Sequence, residues 1–181
     1  MKRKKLMIGI LAGIAAIIAL PLTAALFVKN DYTIEREIVI NKPKNQVFDY
    51  VKHIRNQENF SKWVMRDPGM KKDFHGNDGE VGFVYAWDSK DKGAGAGEQE
   101  IKGITEGEKV DLEVRFERPF KNVARTPFTV ESVSENQTKV KWSMIGRNAY
   151  PMNLMTLFLG GILGKDIETS LGNLKGILEK Q

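Results

Sequence analysis

Near the end of the chain, apolar residues return at steps of four and three: Met155, Leu159, Leu163, Ile167, Leu171, Leu174 and Leu178. That spacing lays a stripe along one side of an α-helix and predicts a long helix within Tyr150 to Gln181. Between residues 33 and 147 the period is two, apart from one short helical stretch. Thr33 to Ile40 puts Ile34, Ile38 and Ile40 on one face of a first strand. Asn41 and Pro43 then mark a helix entry, with Val47, Phe48, Val51 and Ile54 as its apolar side. Arg55 to Trp63 has only Phe60 and Trp63 as anchors, which fits a short second helix or a structured loop.

Strand signals follow in series. Met70 to Phe74 is a short one, closed by the turn residues Gly76, Asn77, Asp78 and Gly79. Glu80 to Asp88 places Val81, Phe83, Tyr85 and Trp87 on one unusually aromatic face. Glu98 to Thr105 and the strictly alternating Val110 to Phe116 come next; Pro119 and Pro127 then bracket a longer connection. Phe128 and Val130 begin another strand, and Val140, Trp142 and Met144 line one face of the last. One strand, one or two short helices, about six antiparallel strands and a long terminal helix predict an α+β fold in which a curved sheet closes around that helix.

The first thirty residues read differently. Leu6 to Val28 is a run of 23 residues without a charge. As a helix it would extend about 35 Å, enough to cross the roughly 30 Å hydrocarbon layer with some tilt. A cleaved signal peptide is the rival reading, but its apolar region is normally about 7–15 residues. An uncleaved anchor is therefore favoured, with residues 1–30 as basic tail and span and 31–181 as the folded domain. The cluster Lys2, Arg3, Lys4 and Lys5 would keep the N-terminus cytoplasmic and put the domain on the extracytoplasmic side of a single-pass membrane protein. These four and Lys29 also account for the formal charge of +5. Without them 23 of the 28 basic residues remain, matching the 23 acidic ones, so the domain carries no nucleic-acid footprint. The absence of cysteine excludes a disulfide framework, Cys-ligated zinc and a thiol nucleophile.

The order of elements resembles the START-like (SRPBCC) superfamily, and within it the polyketide cyclase/dehydrase-like branch. The resemblance is carried by Val47-Phe48-Asp49-Tyr50-Val51 running to Trp63, by Gly95-Ala96-Gly97-Glu98-Gln99-Glu100-Ile101, by Thr138-Lys139-Val140-Lys141-Trp142, and by Gly164-Lys165-Asp166-Ile167-Glu168 with Leu171-Gly172-Asn173-Leu174-Lys175. It implies a helix-grip fold over about residues 33–180, in which a seven-stranded antiparallel sheet wraps the C-terminal helix around a cavity for an apolar molecule such as a lipid or polyketide. It brings no fixed catalytic motif.

Candidate ligand-binding residues are Phe83, Tyr85, Trp87, Phe116, Phe128, Trp142, Met144, Met155 and Leu159. Each would either fill the core or line such a cavity. Tyr85 and Trp87 would add the few polar groups an apolar pocket uses, through hydroxyl and indole N–H. Catalytic signals are sparse. His53 and His75 have no partner at metal-ligand spacing, and neither a metal nor another cofactor is expected. Glu98, Glu100 and Glu113 belong on a wet strand face, and only an inward one would become a general acid or base. Gly93, Gly95 and Gly97 read as a flexible hairpin loop, because no Gly-Lys-Ser/Thr follows them. Residues 152–164 are uncharged but too short for a span. A core helix is the default there; the alternative is that Met152, Leu154, Leu157 and Phe158 border a membrane-facing entrance. The sequence thus favours a membrane-anchored, non-catalytic binder or carrier of a small hydrophobic molecule. An enzyme acting on such a molecule comes second, and a tethered module with a filled core third.

Overall fold

A computed structural model describes the backbone of residues 2–180 and the side chains of residues 4–180. Met1 and Gln181, the outer ends of the two expected segments, and the side chains of Lys2 and Arg3 lie outside the described residues. The chain begins with helix α1 (Lys2–Ala25), whose apolar side chains from Leu6 to Leu22 stand exposed, and after a short link enters β1 (Asp31–Ile40). Helix α2 (Lys44–Lys52) follows, then a 3-10 turn at Ile54–Asn56 and the single-turn helices α3 (Gln57–Phe60) and α4 (Lys62–Met65). The remaining strands are β2 (Lys71–His75), β3 (Val84–Asp88), β4 (Ala96–Thr105), β5 (Lys109–Arg118), β6 (Asn122–Arg125), β7 (Phe128–Ser134) and β8 (Gln137–Arg147). A 3-10 turn at Met152–Met155 leads into the long helix α5 (Thr156–Leu178).

The strands form one antiparallel sheet in the order β1-β8-β6-β5-β4-β3-β2, with β7 pairing both β5 and β8. β6 and β7 share the lane between β5 and β8. β6 pairs Phe116 with Asn122 and Ala124 with Gly146, whereas β7 pairs Val110 with Phe128 and Val130 with Val140. Pro127, which has no amide hydrogen to give the ladder, sits at the break. The sheet therefore has the expected lanes but one more strand. Four residues are too few for alternation to reveal, and β6 falls inside the stretch read from sequence as a plain connection. A second difference concerns Val81, which lies in a turn before the short β3 and is exposed rather than inward.

The concave face of the sheet grips α5. Ile167, Leu171, Leu174 and Leu178 are buried there, with Ile34 and Ile40 of β1 and Val47, Phe48 and Val51 of α2 in the same core. Phe128 stacks on Trp142 at a centroid distance of 4.5 Å, and Phe60 meets both rings edge-on at 6.3 and 6.1 Å. Polar ties hold α3 and α4 to α5. The Lys62 amide donates to Ser170 Oγ at 2.9 Å, Asn173 Nδ2 donates to the Phe60 carbonyl at 3.2 Å, and Lys62 pairs with Asp166.

The N-terminal part of α5 behaves otherwise, and the expectation of a core helix over 152–164 does not hold. Met152, Met155, Leu157, Phe158 and Ile162 are all exposed, Leu157 and Phe158 to more than 60%. The reason is positional: α3 and α4 meet α5 at Asp166, Ser170 and Asn173, and among the described residues no element covers the outer face of its N-terminal end.

Candidate functional site

Between the sheet and the N-terminal part of α5 lies a cavity of about 930 Å³. Strands β3, β4 and β5 form one wall. Tyr85 pairs with Gln99, and Gln99 with Val114, so these three neighbours present one inward row. Trp87 and Phe116 continue it. Trp142 and Met144 of β8 form the far wall, and Met155, Leu159 and Leu163 supply the helix side. Gln57, Ser61, Trp63, Val64 and Met70 close one end; Tyr32, Asn122, Arg147 and Tyr150 are at the other, with Lys121 and Phe120.

Tyr85, Trp87, Phe116, Trp142, Met144, Met155 and Leu159 thus come together on one surface. Phe83 and Phe128 do not. Phe83 is 1% exposed and stacks with Phe74 at 6.2 Å, and Phe128 is completely buried in the Phe60–Trp142 cluster. Both are core side chains. Alternation could not separate them from their neighbours, because an inward face serves core and cavity alike.

The aromatic wall has a specific backbone requirement. Gly97 lies opposite Trp87 across the β3–β4 ladder, next to a register shift in β4. A Cβ at Gly97 would come within 3.0 Å of the indole ring and 2.5 Å of the Arg115 carbonyl oxygen. Trp87 can lie flat along the wall only because that position has no side chain. Its indole N–H donates to the Ala94 carbonyl at 3.0 Å, so it is used by the fold and not free for a ligand as the sequence had implied. The Gly93–Gly97 loop is folded around a carboxylate. Asp91 Oδ1 accepts from the amides of Gly93 at 2.7 Å and Ala94 at 3.1 Å, bonds that with Arg66 hold its carboxyl below the usual range. Loop amides that would cradle a phosphate are occupied from within.

Polar groups of the wall were mostly missed in the sequence. Gln57 and Gln99 are 4% and 5% exposed. Gln99 Nε2 donates to Thr126 Oγ1 at 3.3 Å, while Gln57 Nε2 and the Tyr85 hydroxyl have no partner among the described residues. A signal for Gln99 was present: it shares the buried parity of β4 with Gly97 and Ile101, between outward Glu98 and Glu100. Gln57, in a one-turn helix, had none. Burial pushes the Tyr85 phenol well above its ordinary pKa, and the nearby Glu58 carboxylate adds to the rise. At neutral pH it is a proton donor, not a base.

The glutamates read as outward do face outward. Arg115 bridges Glu98, Glu100 and Glu113 at 2.6, 2.7 and 2.6 Å on the convex side of the sheet. His53 Nδ1 lies 2.8 Å from the Asp49 carbonyl, and the exposed His75 lies 3.3 Å from Asp73. Among the described residues no group of three or more His, Asp or Glu side chains is placed to hold a metal ion.

A family model described as polyketide cyclase / dehydrase and lipid transport matches residues 31–179. The chain belongs to this family. Membership in the polyketide cyclase / dehydrase and lipid transport family points to work on hydrophobic molecules, by binding or by cyclase-type chemistry. The fold is shared with solved structures at low identity. Protein MLL2253 from Mesorhizobium loti is 15% identical over 83% of this chain and 98% of its own, with a TM-score of 0.62. Ara h 8.0201 is 14% identical over 83% and 99%, with a TM-score of 0.58. DynU16, from the dynemicin biosynthetic locus, is 12% identical over 81% of this chain and 47% of its own, with a TM-score of 0.57. No curated protein matches the chain. Residues 4–25 of α1, with a mean hydropathy of 2.4 over the most apolar window, form a helix long and apolar enough to cross a membrane; an N-terminal signal sequence meets the same criterion.

Proposed function

We propose that this member of the polyketide cyclase / dehydrase and lipid transport family is a membrane-anchored, extracytoplasmic binder or carrier of one small hydrophobic molecule, a lipid or polyketide-like compound. The observation that carries the reading is the cavity. At about 930 Å³ it has the size of a small-molecule site, and its wall is aromatic and aliphatic with few polar groups. Space of that kind between sheet and helix gains nothing for stability, since unfilled volume forfeits packing.

Anchoring through α1 is supported by its exposed apolar surface and by how its end is held. The last carbonyls of a helix lack partners within it. Asn153 Nδ2 donates to the carbonyls of Ala25 at 2.7 Å and Val28 at 2.8 Å, and Ala25 is buried against the domain. Asn153 belongs to the same turn as Met152 and Met155, which line the cavity. The end of the apolar helix is therefore pinned to the cavity's edge, beside the exposed Leu157, Phe158 and Ile162. With α1 in a bilayer, that edge lies at the membrane surface, where a hydrophobic ligand can enter without crossing water.

The test is a titration of the full chain in nanodiscs with a fluorescent fatty-acid methyl ester, alongside extraction and mass spectrometry of co-purifying molecules. Saturable binding of about one molecule per chain is expected; the absence of any bound or displaceable apolar molecule would refute the reading. Alkaline washing of membranes should retain the full-length chain, and release of a shortened soluble form would refute the anchor. A second reading, an enzyme of the cyclase or dehydrase type, rests on the unpartnered Tyr85 hydroxyl, which could serve as a general acid toward a bound ligand.

A further inference from the structure

The wall of the cavity is mostly apolar, and several polar groups that reach it are already engaged. Trp87 Nε1 gives its hydrogen to Ala94, Gln99 Nε2 to Thr126, and Asn122 Nδ2 to Asn148. Two buried groups on the same wall are different. Gln57 Nε2 and Tyr85 Oη are shielded from solvent and find no partner among the described residues. Buried donors left without acceptors are rare in native proteins, because each loses its water and gains nothing in return. Both residues line the cavity.

The two lie in one part of the cavity. Gln57 opens α3, and the next residue, Glu58, reaches Lys72 Nζ at 3.2 Å. Lys72 pairs with Trp87 across the β2–β3 ladder, two residues from Tyr85. The start of α3 is thereby held beside the strand that carries Tyr85. An amide N–H and a phenolic O–H both ask for an oxygen acceptor. The charge of that acceptor is constrained as well. Lys121 and Arg147 are exposed, and Arg147 is engaged by Asp31 at 3.0 Å. Beside Tyr85 stands the Glu58 carboxylate, which opposes an anion.

The geometry points to a recognition site in which Gln57 and Tyr85 donate to uncharged oxygen, as in a ketone, ester or hydroxyl, of an otherwise hydrophobic ligand. This rests on the reading of the cavity as a ligand site and adds the class of ligand. A pure hydrocarbon would leave both donors unsatisfied, and a carboxylate would bring a charge to a place whose nearby cation, Lys72, is already paired with Glu58. The remaining surface, lined by Trp87, Phe116 and Trp142, takes the apolar body.

Three tricyclic probes of one skeleton separate these cases: fluorenone, fluorene and fluorene-carboxylate. Their dissociation constants are measured by tryptophan quenching on the full chain in nanodiscs, corrected by protein-free nanodiscs. Fluorenone is expected to bind about tenfold tighter than fluorene or the carboxylate, the worth of one or two neutral hydrogen bonds. Its carbonyl stretch should move to lower wavenumber when bound. Tyr85→Phe and Gln57→Leu are each expected to bring the ratio of fluorenone to fluorene affinity close to one and to reverse part of the carbonyl shift. Each variant is read independently, so one that fails to fold does not remove the test. Equal affinity for ketone and hydrocarbon, tighter binding of the carboxylate, or a preference that survives in both variants would overturn the acceptor site while leaving a cavity that binds. Failure of all three probes to bind the unaltered chain would instead overturn the cavity reading, and this inference with it.

Discussion

The two ends of α5 use one repeating pattern for opposite ends. Toward the C-terminus, Ile167, Leu171, Leu174 and Leu178 are buried in a core completed by Phe60, Phe128 and α2. Toward the N-terminus, Leu163, Leu159 and Met155 continue the same stripe but border a cavity, with Leu157, Phe158 and Ile162 turned outward. What differs is the layer between helix and sheet. At the packed end, α2 and the turn through Ile54 insert their apolar side chains; at the other, no element fills the gap. A stripe states which side of a helix is sheltered from water, and only the third layer decides whether that shelter is solid.

The largest effect should come from removing matched side chains at the two ends. Phe128→Ala at the packed end opens a hole in the ring cluster and is expected to cost about 3–5 kcal/mol. Leu159→Ala already faces empty space and should cost less than about 1.5 kcal/mol. Thermal unfolding followed by tryptophan fluorescence separates the two. Losses of similar size would mean that the hollow end is packed, and the contrast would disappear.

Filling the hollow is the converse. Leu163→Trp adds volume where there is room for it, so stability should change by less than about 1 kcal/mol, in contrast to the same enlargement at Leu174, where overpacking is expected to cost about 1–3 kcal/mol. Binding of the fluorescent ester should fall at least tenfold in Leu163→Trp only. A Leu163→Trp variant that unfolds readily, or binds as before, would show that the cavity is not where the ligand sits.

Much of this was legible in the residues, for reasons that differ by element. The seven lanes followed from alternation in segments such as Val110 to Phe116, and α5 from its stripe, because both periods are set by backbone geometry. β6 was not legible, since four residues beside Pro127 carry no period. Phe83 and Phe128 share inward parity with Tyr85 and Trp142, and parity says inward, not against what. The exposed face of residues 152–164 looked like core because a run of apolar residues has the same composition whether protein or lipid covers it. Gln57 shows the deepest limit. Its importance comes from a missing hydrogen-bond partner, and an absence of that kind exists only once the chain has folded.

The smallest effect concerns how the hollow end keeps its wall without packing behind it. On the convex face, Arg115 of β5 clamps Glu98 and Glu100 of β4 and its own neighbour Glu113, directly behind Gln99 and Val114. The Lys102 ammonium, and then Arg115, hold the Glu100 carboxyl below the ordinary range. A carboxyl whose pKa is lower in the folded state contributes its stability above the unfolded value of about 4.3 and loses it as pH falls through the folded one. The clamp is partly exposed, so its worth is at most about 1 kcal/mol. Lowering pH from 6 toward 3 should therefore lower the amide protection factors, normalised to the intrinsic exchange rate at each pH, in β4 and β5 before it does so in β7 and β8, whose inner faces are backed by the Phe60–Phe128–Trp142 cluster. Arg115→Met should remove part of that acid sensitivity. Equal acid response at both ends, unaltered by the substitution, would mean that the outer clamp does not substitute for the missing packing.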